Sequence, residues 1–240
     1  PDSRDYPSPL LGTTETGSFF TLRSKNLTPV QNQLNLNSCV AQAVSTAIET
    51  YSLENGWPHH FELSPLYIWF YGRQLSGTFP DNDGMFIRDA WKAVRRHDMG
   101  ATIEKLYPYN TRDYNQEPGI AARMFRKWHK PFYYYWISGS KEDKEEKTKQ
   151  VLIEKRVPIV FAVPLSDSFM RLNTTEVYKP QSSEPVRFYH AMLITGFDNN
   201  RGAFEIMNSW GRSWGNQGFL WVDKNWLLEE GYNLSYPDKL

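Results

Sequence analysis

Apolar positions follow two different patterns along the chain, and the change between them organises it. From residue 40 onward, Val40, Val44, Ala47, Ile48 and Tyr51 fall three or four apart, the spacing that stacks side chains on one face of a helix. Asn37 or Ser38 is placed to cap this helix, which puts Cys39 in its first turn. The stretch ELSPLYIWFYGRQ offers a second helix start, with Ser64 as cap and Pro65 at the first helical position. DGMFIRDAWKAVRRHDMG reads as a third helix, closing at Gly100. After Tyr109 the pattern turns to short apolar runs. PFYYYWISG reads as a strand, SGSKEDKEEKTKQVLIEKR as a helix opened by a capping box of Ser140 and Asp143, and VPIVFAV as a buried strand. HAMLITGFD, AFEIMN and GFLWVD are three further short strands, separated by turn signals at NNRG and WGNQG. The first thirty-odd residues show no period and read as an extended segment over the surface. The mixed charges from Lys141 to Lys149 suit a solvated helix face.

Composition narrows the function. At 240 residues the chain can form one large domain or two small ones sharing an interface. Lys+Arg and Asp+Glu balance at 27 each, so no global field concentrates nucleic acid or holds an anionic membrane. No apolar run approaches the roughly 20 residues that span a bilayer. The chain starts at Pro1 rather than Met, which raises the expectation of an upstream segment removed by processing. A single cysteine permits no internal disulfide. Aromatics make up 15%, so no single ring marks a ligand site.

Candidate chemistry centres on that cysteine. A lone cysteine is most often a small buried hydrophobe. In the first turn of a helix, however, unpaired N–H groups and the positive end of the macrodipole favour thiolate. Of five histidines, His59 and His60 sit in a Trp-Pro turn, His97 near a helix end and His129 in a basic aromatic stretch, all readable as solvated or structural. His190 opens the apolar strand HAMLITGF, where a rigid sheet can hold its ring toward another element. Asn208, followed by Trp210 and Trp214, supplies a neutral carbonyl able to fix the tautomer of an imidazole. Gln33, six residues before the cysteine, offers a side-chain amide that could join the Cys39 N–H in stabilising an oxyanion. No metal-ligand cluster is apparent in the sequence and no cofactor is called for.

These motifs together resemble the papain-like cysteine proteases over most of the chain. The Gln-x5-Cys segment reads QLNLNSC, the histidine strand HAMLITGF and the Asn-Ser-Trp-Gly segment NSWGRSWG, in the family's order. ELSPLYIW, DGMFIRDAWKAV, KLYPY and VPIVFAV are softer agreements. Asn37 and Val40 replace a glycine and a tryptophan around the nucleophile, and the family's disulfide cysteines are absent, which resembles a bacterial or phage branch. Asn37 leaves the loop conformation in question, because glycine tolerates backbone angles that asparagine shares only in part.

The resemblance implies an α+β, two-lobe papain-like fold in a single domain spanning residues 1–240. A helical lobe over about 30–112 would face a β-barrel-like lobe over about 113–240 across the cleft, behind an extended segment over 1–29. It implies a cysteine endopeptidase acting through a thioester, with Cys39 as nucleophile, His190 as base and acid, Asn208 orienting the ring, and Gln33 in the oxyanion hole. Gly84 is the match to the wall that pairs with substrate backbone; Met85 and Ala162 would read the side chain two places before the scissile bond, with a preference for apolar groups. Trp210 would shield the His190–Asn208 hydrogen bond, and Trp214 would line the primed side. Partners would be a polypeptide substrate and a propeptide or protein inhibitor, with the chain acting as a monomer and neither nucleic acid nor membrane engaged. Other thiol chemistry (transglutaminase, amidase or deamidase) and an inactive peptide-binding relative are the alternatives. The compartment stays open, with a lean to export; the sequons at Asn26, Asn173 and Asn233 matter only in a eukaryotic secretory pathway.

Overall fold

The structure, a computed structural model, describes residues 6–8, 17–23, 27–56, 62–126, 133–180 and 184–239. In chain order the elements are β1 (Tyr6–Pro7), β2 (Phe19–Thr21), α1 (Cys39–Glu54), α2 (Pro65–Ser76), α3 (Ile87–Arg95), α4 (Ile120–Phe125), β3 (Tyr133–Trp136), α5 (Lys141–Gln150), β4 (Ile159–Leu165), β5 (Val177–Tyr178), β6 (Phe188–Asp198), β7 (Ala203–Met207), β8 (Phe219–Asp223), α6 (Lys224–Glu230) and β9 (Tyr232–Asp238). A single π-helical turn, Val151–Lys155, continues α5.

The helix that begins at Cys39 is buried from Val40 to Tyr51, polar positions included. Three of its hydroxyl groups are satisfied along its own length: Ser45 donates to the Gln42 carbonyl at 2.9 Å, Thr50 to the Thr46 carbonyl at 2.9 Å and Ser52 to the Ile48 carbonyl at 2.7 Å. A helix closed on every side can thus carry polar residues on faces that periodicity would assign to solvent. Ser38 occupies the N-cap position, yet its side chain caps nothing. Its hydroxyl instead meets the Tyr109 hydroxyl at 2.6 Å, and Asn37, the other expected cap, turns to Asn82. α2 starts as expected, with the Ser64 hydroxyl accepting from the Tyr67 amide at 3.1 Å. α3 stops at Arg95, short of Gly100, because Arg96 is extended; the Gly100 N–H then returns to the Ala93 carbonyl at 2.9 Å.

The strands form one nine-stranded sheet in the order β1-β3-β9-β4-β6-β7-β8-β5, with β2 joined to β6. This path is open, so the expected barrel-like lobe is instead a mixed sheet, with β1 and β5 at its ends. β4, β6 and β7 are buried nearly throughout, as expected for strands covered on both faces. The N-terminal segment also departs from expectation: β1 pairs with β3 and β2 with β6, so its described parts extend the sheet rather than lie over the surface. Close approach at the second junction requires Gly196, where a Cβ would meet the Phe20 carbonyl oxygen at 2.5 Å. Helices and sheet share one core. Trp91 of α3 stacks on Tyr134 of β3 at 5.8 Å and donates from Nε1 to the buried Ser235 hydroxyl of β9 at 2.9 Å. Among the described residues no helix is long and apolar enough to cross a membrane.

Candidate active site

Where the N-terminus of α1 meets the starts of β6 and β9, the surface opens into a cleft of about 830 Å³. Cys39, His190, Gln33, Gly84, Ala162 and Trp210 all reach its wall, although they are far apart in sequence. Cys39 is partly exposed there rather than sealed in the core. Burial pushes its thiol pKa up, while the backbone amides of Ala191, Val40 and Cys39 itself pull it down. Ala191 is the residue that follows His190.

His190 is held from behind. Its Nε2 lies 2.7 Å from Asn208 Oδ1, and that oxygen also accepts from the Ser209 amide at 2.7 Å. An oxygen acceptor requires Nε2 to carry the proton, which leaves the Nδ1 lone pair free. The Trp210 ring covers the imidazole with centroids 4.5 Å apart. His190 is 4% exposed, and this burial pushes its pKa down to about 4 against the opposing Asn208 hydrogen bond. Burial therefore disfavours the charged form of both Cys39 and His190 taken singly, so proton transfer between them is the route that creates no unbalanced charge.

Gln33 is fixed through both its backbone and its side chain. Its amide N–H donates to the Ser209 carbonyl at 2.8 Å, its Oε1 accepts from Ser209 Oγ at 2.7 Å, and its Nε2 donates to the Leu36 carbonyl at 2.9 Å. Nε2 has a second hydrogen beyond that bond. The Tyr109 hydroxyl donates to the Gln33 carbonyl at 2.8 Å and meets Ser38, so the second tyrosine of KLYPY braces both ends of the nucleophile loop. Ser209 is the link that sequence reasoning passed over: one residue touches both Asn208 and Gln33, and its place within Asn-Ser-Trp-Gly was the available signal.

Of the expected subsite residues, Gly84, Met85, Ala162 and Trp210 line the cleft and Trp214 does not. Met85 reaches the cleft wall but is only 8% exposed, its sulfur packed into α2, where a Cβ on Gly72 would fall 2.1 Å from it; the neighbouring Phe86, 67% exposed, lines the same wall. Trp214 is absent from the cleft wall. It is buried behind Trp210, with Nε1 donating to the Phe169 carbonyl at 3.1 Å. Gly84 reaches the wall, but its N–H already donates to Asp83 Oδ1 at 2.7 Å and its carbonyl accepts from Thr78 Oγ1 at 2.8 Å. Ala162 sits between Ala191 and Tyr232 across the sheet and lines the cleft. Tyr189 and Tyr232, 6.2 Å apart, complete the rim and were not anticipated, since each lies in a stretch where aromatics are common.

His97 is exposed, while His59, His60 and His129 lie outside the described residues, as does the sequon at Asn26. Asn233 is exposed on the cleft wall and Asn173 lies in a separate polar groove. No described residue before Gln33 lines the cleft. Among the described residues no group of three or more His, Cys, Asp or Glu side chains is arranged to hold a metal ion.

Comparison with known proteins gives the same architecture. The model of the family described as papain family cysteine protease matches residues 17–232. An uncharacterised peptidase C1-like protein of Acanthamoeba polyphaga mimivirus is 28% identical over 206 residues, covering 83% of this chain and 65% of that protein. A cathepsin L-like proteinase of Fasciola hepatica is 27% identical over 210 residues, covering 83% of this chain and 57% of that protein. The chain thus spans 65% and 57% of the length of these two curated relatives. Among solved structures, xylellain, a cysteine protease from Xylella fastidiosa, superimposes with a TM-score of 0.88 at 21% identity, covering 100% of this chain and 93% of that one.

Proposed function

The chain belongs to the papain family of cysteine proteases, and from that premise we propose that it is a cysteine endopeptidase with Cys39 as nucleophile. The observation that carries this reading is the 2.7 Å bond from His190 Nε2 to Asn208 Oδ1, on a wall shared with a partly exposed thiol at the start of a helix. The Cys39 sulfur attacks a substrate carbonyl carbon as its proton passes to His190 Nδ1. The carbonyl oxygen, now anionic, is stabilised by the Cys39 amide and the second hydrogen of Gln33 Nε2. His190 then gives the proton to the departing amine as the C–N bond breaks, leaving a thioester. Water attacks the thioester carbon, its proton passing to His190 and on to the sulfur, and the acid product leaves. Asn208 orients the ring, and Trp210 keeps water from their hydrogen bond.

The substrate is a polypeptide in extended form. Phe86, Tyr189 and Tyr232 support a preference for apolar side chains on the side of the cleft that Ala162 lines. The two-lobe division near residue 112 is part of the same proposal, as is a propeptide or protein inhibitor seated in this cleft. Turnover of a fluorogenic peptide panel by the wild type, lost in Cys39→Ala, is the expected result. Rapid iodoacetamide labelling of Cys39 without any peptide hydrolysis would favour another thiol chemistry, and an inert thiol would favour a peptide-binding relative.

A further inference from the structure

The turn between α2 and α3 forms one wall of the cleft, and five consecutive carbonyls in it each accept a side-chain hydrogen bond. Pro80 accepts from Arg73 Nη1 at 3.1 Å and Asn115 Nδ2 at 2.6 Å, and Asp81 from the same Nη1 at 2.5 Å. Asn82 accepts from Asn37 Nδ2 at 2.8 Å, Asp83 from Trp69 Nε1 at 3.2 Å, and Gly84 from Thr78 Oγ1 at 2.8 Å. Arg73 is fully buried, its guanidinium 3.6 Å from the Trp69 ring centroid and its Nη2 on Asn115 Oδ1 at 2.8 Å. A cation removed from water is costly unless it keeps its acceptors. Shifting the turn would strand that charge, so the guanidinium defines where the turn sits.

The other side of the turn reaches the nucleophile loop. Asn82 Oδ1 accepts from the Asn37 amide at 2.9 Å, and Asn82 Nδ2 donates to the Asn35 carbonyl at 3.0 Å. With the Asn37 side-chain bond, this makes three hydrogen bonds between residue 82 and the loop running from Gln33 to Cys39. The structure also resolves the question raised by Asn37 in place of a glycine. Residue 37 is not in the left-handed region; Leu34 is, at φ 52°, and the Asn37 side chain is free to bridge.

We propose that Arg73 and Asn82 are positioning residues: Arg73 fixes the turn, and Asn82 couples it to the nucleophile loop, so that the cleft wall and the oxyanion donors move as one body. This rests on the reading of Cys39 as nucleophile. In a chain whose single cysteine permits no internal disulfide, hydrogen bonds and one buried cation supply the cross-link.

The test uses the full chain. Asn82→Ala, Asn37→Gly and the double variant are compared with wild type for kcat, KM, melting temperature and the rate of Cys39 alkylation by iodoacetamide. Asn82→Ala is expected to lower kcat by about tenfold with KM within about twofold, since misplaced oxyanion donors weaken the transition state more than ground-state binding. Asn37→Gly keeps the backbone donor and is expected to lower kcat by about threefold, with the double variant falling by less than the product of the two. Arg73→Lys keeps the charge but loses the fork, and is expected to act in the same direction. Should it not fold, the asparagine variants carry the test. A lowered melting temperature with kcat unchanged, or strictly multiplicative effects, would overturn the proposal and leave the network a stability role. Cys39→Ala separates this from the proteolytic reading. If wild type does not cleave peptides, an alkylation rate changed by about threefold or more in Asn82→Ala still supports coupling, and an unchanged rate refutes it.

Discussion

The ionisation of His190 offers the most direct check on the site's electrostatics. The ring is 4% exposed, capped by Trp210 at 4.5 Å and bonded to Asn208 at 2.7 Å. Burial lowers its pKa from 6.5 to about 4, which corresponds to about 3 kcal/mol against the imidazolium. Cys39 titrates with it, so the measurement belongs in Cys39→Ala, where the ring is observed without its partner. There the imidazole resonances of residue 190, assigned through His190→Gln, should titrate near pH 4. Adding Trp210→Ala opens the ring to water and should raise that value by about one unit or more toward 6.5. The linkage sign follows from the lowered pKa: stability is fully present above about pH 6.5 and is lost as pH falls toward 4. Trp210→Ala should therefore flatten the acid side of the stability curve even as it removes aromatic packing. A His190 that titrates near 6.5 in Cys39→Ala would refute the account, because it would mean that water reaches the ring.

Gln33→Ala should cost about 3 kcal/mol in the barrier, roughly 100-fold in kcat, with little change in KM, as measured on a fluorogenic peptide. Met85→Ala and Phe86→Ala should differ mainly in stability: the first lowers it by about 2–5 kcal/mol through the cavity left beside Gly72, and the second leaves it nearly unchanged but lowers kcat/KM for apolar substrates by about tenfold. Glu49, buried in the middle of α1 with its carboxylate accepting from the Leu63 amide at 2.6 Å, has its pKa raised by burial to about 8, with Glu62 and Glu104 adding to the rise. Its stabilising contribution is full below about pH 4.5 and falls as pH rises to 8, so Glu49→Gln should gain about 3 kcal/mol over wild type at pH 7 and little at pH 4. Urea unfolding in a Cys39→Ala background, which removes self-digestion, would show the trend, and a difference independent of pH would contradict it.

The grouping of the site's side chains was legible because it depends on residue type. A thiol, an imidazole and an amide carbonyl suit the parts proposed for Cys39, His190 and Asn208, and each stands beside a local signal: a helix start, a strand start, an Asn-Ser-Trp-Gly turn. The buried strands were legible for a similar reason, since β4 is apolar throughout and β6 carries an apolar run over residues 191–194. Elements whose patterns are set by their neighbours were harder to see. β9 carries Asn233, Ser235 and Pro237 within a strand, and its register is fixed by β3 and β4 on either side. α6 follows β8 without a break, its start marked only by Asp223, whose carboxylate accepts from the amides of Asn225 and Trp226.

The subsites show where residue type stops being informative. Met85 and Phe86 are adjacent, apolar and similar in size, both line the cleft, and sequence alone gives no reason for one rather than the other to be the more exposed. The choice is made 13 positions earlier, where Gly72 lacks a side chain and leaves on α2 the space that the Met85 sulfur fills. With that sulfur seated, residue 86 at the cap of α3 is directed outward to the rim. A larger residue at position 72 would expel Met85 and disturb both residues together. The exposure of these two cleft residues therefore depends on a helix position outside the cleft wall, through a packing relation that no local motif records.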